Sequence, residues 1–309
     1  MRKSIFDIAS ASINISNEVD RIVSMSAKEK STYSPPYDLT LFEFVDKCCF
    51  RDWSYRGHFV NVVDFLETVN YNEIKKDAKN GDTDAFMTLI ELTYNFWNLA
   101  YRDIMDKDSQ NGWNNNFFHL RDVMLDNLEK YNHKAYIENE RILIIEDKPE
   151  VTAVVEIIEQ DLAIDIIRYN HRSLQGEIEL KKKILISLGS ELEPKRKELQ
   201  ALNKQLSEDI FFMLNNLNVR HNNRSKKDIA KYKEHVAKMT KARLEKWYDE
   251  LYQMMLLAFL LLDNVDRTAS VKELKQIIIP HKFKCETYHN FCRRNIHRPF
   301  FVYLLLYFS

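Results

Sequence analysis

Apolar side chains recur at intervals of three and four residues along most of this 309-residue chain. That spacing places them on one face of an α-helix, so it predicts a largely helical protein. The longest helices are predicted at 149–188 and 194–218, and the two would pack as a long antiparallel hairpin, with Gly189 ending the first. Further helical stretches are predicted at about 3–27, 39–50, 59–69, 71–80, 83–105, 114–131, 228–239, 244–263 and 270–279.

One segment departs from the helical spacing and predicts a β-hairpin. Ala135–Glu138 and Arg141–Glu146 are rich in residues that favour strands, and the polar pair Asn139-Glu140 separates them. A lone two-stranded hairpin is only marginally stable in water. We therefore expect it to pack on the helical body or on a partner.

The predicted fold class is all-α: a two-lobed helical bundle with a long antiparallel helix hairpin and one small β-hairpin. Composition favours it, because the chain has only 5 Gly and 6 Pro, and sheet-rich folds need these turn residues often. The predicted domains are an N-terminal helical lobe at 1–132, the hairpin at 133–148, a helical domain at 149–265 and a basic, aromatic tail at 266–309.

Charge and cysteine usage narrow the class of protein further. Lys and Arg number 45 against 46 Asp and Glu, so any nucleic-acid binding must be local rather than driven by net charge. The four cysteines form no disulfide framework, and the Gly-rich phosphate-binding motifs are absent. We find no signal peptide and no apolar run of roughly 18 residues. These features predict a soluble cytoplasmic protein with no membrane contact.

A dense polar cluster follows the predicted helix at 194–218. Arg220 and His221 are adjacent there, and four asparagines flank them: Asn216, Asn218, Asn222 and Asn223. An arginine fork suits phosphate, and a histidine can give or take a proton near neutral pH. The predicted catalytic residues are Arg220, His221 and Asn222, and the predicted binding residues are Asn223, Lys226 and Lys227. The structural alternative is that the asparagines end a helix and Arg220 or His221 satisfies free carbonyls.

Residues 150–265 combine a long antiparallel helix pair, the segment Leu-Asn-x-Leu-Asn-x-Arg-His-Asn-Asn and an apolar helix after it. In this combination they resemble the HEPN superfamily. The resemblance implies a helical domain, a homodimer or higher homo-oligomer whose paired loops compose one site, and metal-independent RNA cleavage in bacterial toxin or anti-phage systems. Arg220 matches the arginine of the family motif and His221 the polar residue after it. The motif's second histidine is expected at 225–227, where Ser225, Lys226 and Lys227 stand instead. This departure favours a binding or degenerate role for the loop.

A second segment has the spacing of that motif. Six residues separate Arg51 from His58, and the polar Asp52 follows the arginine. We therefore include Arg51 and His58 among the predicted binding residues. The alternative is an Arg-Asp pair at a helix end, beside the half-buried Trp53.

The C-terminal residues carry two further features. Histidines and cysteines cluster at His281, Cys285, His289, Cys292 and His297. Four ligands along one helix would extend about 16 Å, too far to meet one zinc ion, so we predict no metal or cofactor. Instead the cluster would form a basic, aromatic face for nucleic acid or a partner. The apolar tail 299–308 would pack on the body or across a dimer interface.

Two functions from different classes follow. The first is a HEPN-like protein of a bacterial phage-defence or abortive-infection system that senses or cleaves RNA without a metal. The second is a non-catalytic helical scaffold or adaptor that binds a protein partner through its apolar tail.

Overall fold

The computed structural model describes residues 14–31, 38–106, 115–227 and 229–278. The predicted fold class is confirmed: the described residues form a helical body with one small antiparallel hairpin. The helices are α1 Ile15–Ala27, α2 Leu41–Phe44, α3 Val62–Thr68, α4 Tyr71–Lys79, α5 Thr83–Asp106, α6 Asn115–Lys130, α7 Pro149–Val155, α8 Gln160–Asn170, α9 Ile178–Leu192, α10 Arg196–Leu202, α11 Lys204–Asn216, α12 Glu234–Ala237 and α13 Lys241–Ile278. The strands are β1 His133–Glu138 and β2 Arg141–Glu146.

Helix α5 lies at the centre of the N-terminal half, where apolar side chains of α1, α2 and α6 cover it. Aromatic rings fill much of this core. Phe96 of α5 packs edge-to-face against Trp53 at a centroid distance of 5.7 Å and against Phe42 at 5.4 Å. Such aromatic pairs bury large areas in a fixed geometry, so they hold the short helices around α5 in place.

The β-hairpin forms at the predicted residues, with Asn139-Glu140 as its two-residue turn. Asn139 has a φ of 48°, which a tight hairpin turn requires and which asparagine adopts readily. Helix α5 covers the outer edge of β2 with side chains. The amide of Asn95 donates to the carbonyl of Ile142 and accepts from its N–H, both at 2.9 Å. The hairpin therefore packs on the helical body, as expected for a pair of strands with few bonds of its own.

The helix predicted at 149–188 is divided into three, and the pieces are α7, α8 and α9. His171 ends α8 in an extended conformation, because its side chain is held in a buried contact with α5. Gly176, with a φ of 78°, then allows the turn into α9. The partner helix predicted at 194–218 is divided in the same way at Asn203, which caps α11 through a hydrogen bond to the amide of Leu206.

Gly189 does not end a helix, contrary to the prediction, but lies inside α9. A β-carbon at this position would lie 2.9 Å from the Cδ1 atom of buried Leu214 and 3.4 Å from the Nη2 atom of Arg220. The glycine is therefore needed for the close approach of α9 and α11. Sequence periodicity cannot separate this use of glycine from a helix stop.

The C-terminal helices also differ from the prediction. The stretch at 228–239 is helical only in α12, and the helices predicted at 244–263 and 270–279 are one helix, α13. The described residues up to Leu260 form one compact unit, and the described residues 261–278 belong to a second. The domain boundaries predicted at 132, 148 and 265 stay predictions. The His/Cys cluster at 281–297 and the apolar tail at 299–308 lie outside the described residues.

Candidate functional site

The loop that carries Arg220 and His221 follows α11, and its backbone closes that helix. The amide of Arg220 donates a hydrogen bond to the carbonyl of Leu214 across 2.9 Å. Asn218 adopts a left-handed conformation with a φ of 62°, which asparagine tolerates better than most residues. Its carbonyl accepts a hydrogen bond from the buried hydroxyl of Tyr248 on α13, at 3.4 Å. The chain therefore turns away from α11 along a defined path.

Asn223 holds the two arms of this loop together. Its Oδ1 atom accepts from the amide of Asn218 at 2.8 Å, and its Nδ2 atom donates to the carbonyl of Lys231 at 2.7 Å. Its own carbonyl accepts from the amide of Lys233 at 2.8 Å. The residue is only 1% exposed. Asn223 was predicted to bind a ligand, and in the structure its side chain serves the loop itself.

Arg220 also makes structural contacts. Its Nη2 atom donates to the carbonyl of Gly189 at 3.0 Å, and its Nη1 atom pairs with the carboxylate of Glu193. The guanidinium lies 5.5 Å from the ring centroid of Phe211. It thereby adds a second donor to a carbonyl in the last turn of α9, which already accepts from the amide of Glu193. Its side chain keeps 21% exposure, and Glu193 is the more exposed partner at 45%.

The other residues predicted in this loop face outward. His221 is half-buried, and its carbonyl accepts from the amide of Asn223 at 2.9 Å. Asn222 is exposed, and its side chain caps the turn at Ser225 through a 3.1 Å hydrogen bond. Lys226 and Lys227 are exposed as well. The loop is therefore a fixed support that presents a histidine, an amide and two ammonium groups.

Positive charge extends well beyond this loop. Residues 220–246, hereafter the basic segment, hold ten Lys or Arg against three Asp or Glu, in a chain whose net charge is −1. Most of these cations are exposed: Arg224, Lys226, Lys227, Lys231, Lys233, Lys238, Lys241, Arg243 and Lys246. Two aromatic rings accompany them, half-buried Tyr232 and Trp247, which is 41% exposed. Sequence analysis noted only Lys226 and Lys227, and a charge count in a sliding window would have found the rest.

Arg51 and His58 lie on the short turns between α2 and α3. Arg56 organises this region: its Nε atom donates to the carbonyl of Arg51 at 2.8 Å and its Nη1 atom donates to that of Phe59 at 2.7 Å. The ring of His58 lies 4.3 Å from the ring of Phe59. Within the described ranges, no hydrogen bond or ring contact joins Arg51 or His58 to the loop at 220–223. The contacts described for Arg51 and His58 are therefore local to residues 51–59.

A buried ionic network lies elsewhere, and sequence analysis missed it. Glu91 of α5 accepts from His171 Nε2 at 2.8 Å, from the amide of Ile144 at 2.8 Å and from Arg172 Nη2 at 3.1 Å. Burial alone would raise the pKa of Glu91, but the His171 hydrogen bond and the Arg172 charge outweigh it, so the pKa is lowered. His171 and Glu91 are 80 residues apart, and only the fold brings them together. The network joins α5, β2 and the end of α8.

A second buried cation ties α9 to α13. The side chain of Lys181, 7% exposed, donates at 2.8 Å to both Glu245 and Asp249. The hydroxyl of Tyr169 also donates to Asp249, at 2.9 Å. Burial opposes ionisation of Glu245, but its hydrogen bonds to Lys181 and to the amide of Gly176 lower its pKa overall. Both networks stabilise the body that carries the basic segment.

Comparison with protein-family models, curated proteins and solved structures gave no match to this chain. Among residues the structure describes, no group of three or more His, Cys, Asp or Glu is arranged to hold a metal ion. Nor does any helix in those ranges combine the length and apolar character needed to cross a membrane. Exposed polar groups and local positive charge make the loop and the basic segment a candidate nucleic-acid site.

Proposed function

We propose that this protein binds RNA through the basic segment and senses or cleaves it without a metal, in the cytoplasm, as part of a bacterial phage-defence or abortive-infection system. The observation that carries the proposal is local charge: residues 220–246 hold ten cations against three carboxylates, in a chain whose net charge is −1. Two further parts of the proposal, the biological setting and a homodimer or higher oligomer, rest on the HEPN resemblance of residues 150–265.

Physical chemistry favours RNA over a neutral partner. When protein cations bind the phosphates of a nucleic acid, counterions condensed on those phosphates are released. This release supplies most of the affinity for nucleic acid. Accessible rings beside the cations add stacking surfaces for unpaired bases: half-buried Tyr232 lies within the segment, and exposed Trp247 follows it directly. A single-stranded or looped RNA is therefore the favoured ligand class.

The loop supplies the groups for proton transfer. His221 is half-buried at the start of the basic segment, and Asn223 fixes the backbone on both sides of it. Arg220 would grip phosphate by exchanging its exposed partner Glu193 for a phosphate oxygen. His221 would then give or take the proton, and Asn222 would orient the loop.

We expect the double variant Lys226→Ala/Lys227→Ala to bind single-stranded RNA about tenfold or more weakly at 0.1 M salt, and to show a smaller slope of log affinity against log salt. Fluorescence anisotropy with a labelled oligoribonucleotide measures both quantities. The matched control is Lys197→Ala/Lys204→Ala, which removes two exposed lysines outside the segment and the same net charge. Equal losses in the two double variants would contradict the proposed interface.

We expect His221→Ala to lower RNA cleavage by about 10²-fold or more while RNA affinity changes little, because proton transfer contributes on that scale. Cleavage is measured with chelator present, so that trace metals cannot contribute. His235→Ala is the control, since this histidine is exposed within the same segment. If the wild-type protein binds RNA without cleaving it, the sensing form of the proposal stands and the catalytic form fails.

The scaffold function keeps one specific observation in its favour. In the described part of α13 beyond Leu260, three apolar residues at helical spacing are between 48% and 66% exposed: Val271, Leu274 and Ile278. An exposed stripe of this kind suits a helix-in-groove contact with a protein partner. If the wild-type protein binds no RNA but stably captures a defined protein through this stripe, the adaptor function is favoured.

A further inference from the structure

A cavity of about 390 Å³ lies beside the Glu91–His171 network, between β2, α8 and α9. Its volume is in the range of small-ligand sites, which are roughly 300–1,000 Å³. None of the residues predicted for RNA lines it. The polar residues that do are Arg141, Asp165, Arg168, His171, Ser173 and Lys183.

The charge of this lining favours an anion. Three cations, Arg141, Arg168 and Lys183, face one carboxylate. Behind them the buried Glu138 pairs with Nη2 of Arg168 and, at 3.1 Å, with Nη2 of Arg141. This ion pair uses one terminal nitrogen of each guanidinium and fixes the direction of both.

A hydroxyl group completes the polar side. Ser173 is exposed, and its Oγ atom lies 2.7 Å from Nδ1 of His171. The amide of Ser173 also donates to Nδ1, and Nε2 of the same ring contacts the Glu91 carboxylate. The imidazole is thus held from both sides. With Nδ1 as the acceptor, the proton of the Ser173 hydroxyl points to the ring, and the contact keeps Ser173 at the cavity edge.

The remaining wall is apolar and consists of Leu143, Leu174, Leu180 and Ile184. A bare inorganic anion would leave this wall in contact with water. A ligand with a phosphate at one end and an apolar or flat organic group at the other would use both walls. Arginine and lysine donors match phosphate oxygens closely, and charge-assisted hydrogen bonds of this type are among the strong ones.

We propose that this cavity binds a small organic phosphate monoester, with the phosphate against Arg168 and Lys183 and the organic group against Leu174 and Leu180. The site is distinct in its residues from the basic segment, so this binding goes beyond the proposed RNA function. A nucleoside monophosphate is the simplest member of the ligand class.

The site is tested by isothermal titration calorimetry, which measures the binding of AMP, adenosine and inorganic phosphate to the full-length protein. We expect saturable binding of AMP, weaker binding of inorganic phosphate and none of adenosine. Lys183→Ala should weaken AMP about tenfold or more, as expected for loss of a charged hydrogen bond. Lys182→Ala is the matched control, since Lys182 is the neighbour of Lys183 on α9 and does not line the cavity.

Two further variants keep the result interpretable. Arg168→Ala also removes one of the two guanidinium partners of the buried Glu138, so Lys183→Ala carries the test instead. The double variant Lys226→Ala/Lys227→Ala should bind AMP like the wild-type protein, which separates this site from the RNA site. The proposal is overturned if AMP does not saturate, or if Lys183→Ala and Lys182→Ala bind it equally.

Discussion

Glu91→Ala is expected to lower the free energy of unfolding by about 3–5 kcal/mol, because it removes the acceptor of a buried charged network. Three donors lose this partner at once: Nε2 of His171, the amide of Ile144 and Nη2 of Arg172. The amide of Ile144 is the costliest loss, since strand β2 is buried and offers it no water. Urea unfolding followed by circular dichroism measures the change.

The same network predicts a dependence of stability on pH. The pKa of Glu91 is lowered in the folded protein from its ordinary value of 4.5. Its contribution is therefore fully present above about pH 4.5 and is lost as pH falls through the folded-state pKa. Glu91→Gln should lack this part of the acid sensitivity. Glu208→Ala is the control: it removes a carboxylate from an exposed pair with Lys204. Equal destabilisation by Glu208→Ala and Glu91→Ala would refute the role of the network.

Asn223→Ala is expected to cost about 2–3 kcal/mol, because the amide of Asn218 is left buried without an acceptor and the carbonyl of Lys231 loses a donor. Asn222 offers a matched comparison one residue away. It is exposed and makes a single hydrogen bond to the amide of Ser225, so Asn222→Ala should change stability by only about 0.5 kcal/mol.

Limited proteolysis gives a local readout of the same prediction. Without Asn223 the two arms of the loop are no longer joined, and trypsin should cut faster after Lys226, Lys227 and Lys231. The Asn222→Ala protein should be cut at the wild-type rate. If both variants are cut alike, Asn223 does not fix the loop, and the argument that it preorganises His221 for RNA fails with it.

Local patterns predicted much of the secondary structure. The β-hairpin was predicted to the turn, because strand alternation and the Asn139-Glu140 pair are properties of neighbouring residues. The helix at 83–105 was predicted within a residue of its observed bounds for the same reason. The sequence also located a fixed polar loop at Arg220–Asn223.

Long-range contacts explain where prediction failed. The helix predicted at 149–188 is broken at His171, whose partner Glu91 lies 80 residues earlier. Gly189 was predicted to stop a helix, but its neighbour in space is Leu214, and the reason for glycine is that contact. Periodicity describes which face of a helix is apolar; it carries no information on which distant side chain that face meets.

The sequence by itself determined the helical class, the hairpin and the position of the Arg220–Asn223 loop, since each depends on the conformational preferences of adjacent residues. Only the tertiary structure decided the roles within that loop: Asn223 and Arg220 turn inward to the carbonyls of Lys231 and Gly189, while His221 remains in part accessible. The physical reason is that a polar side chain takes its role from the partner it reaches, and that partner is set by packing.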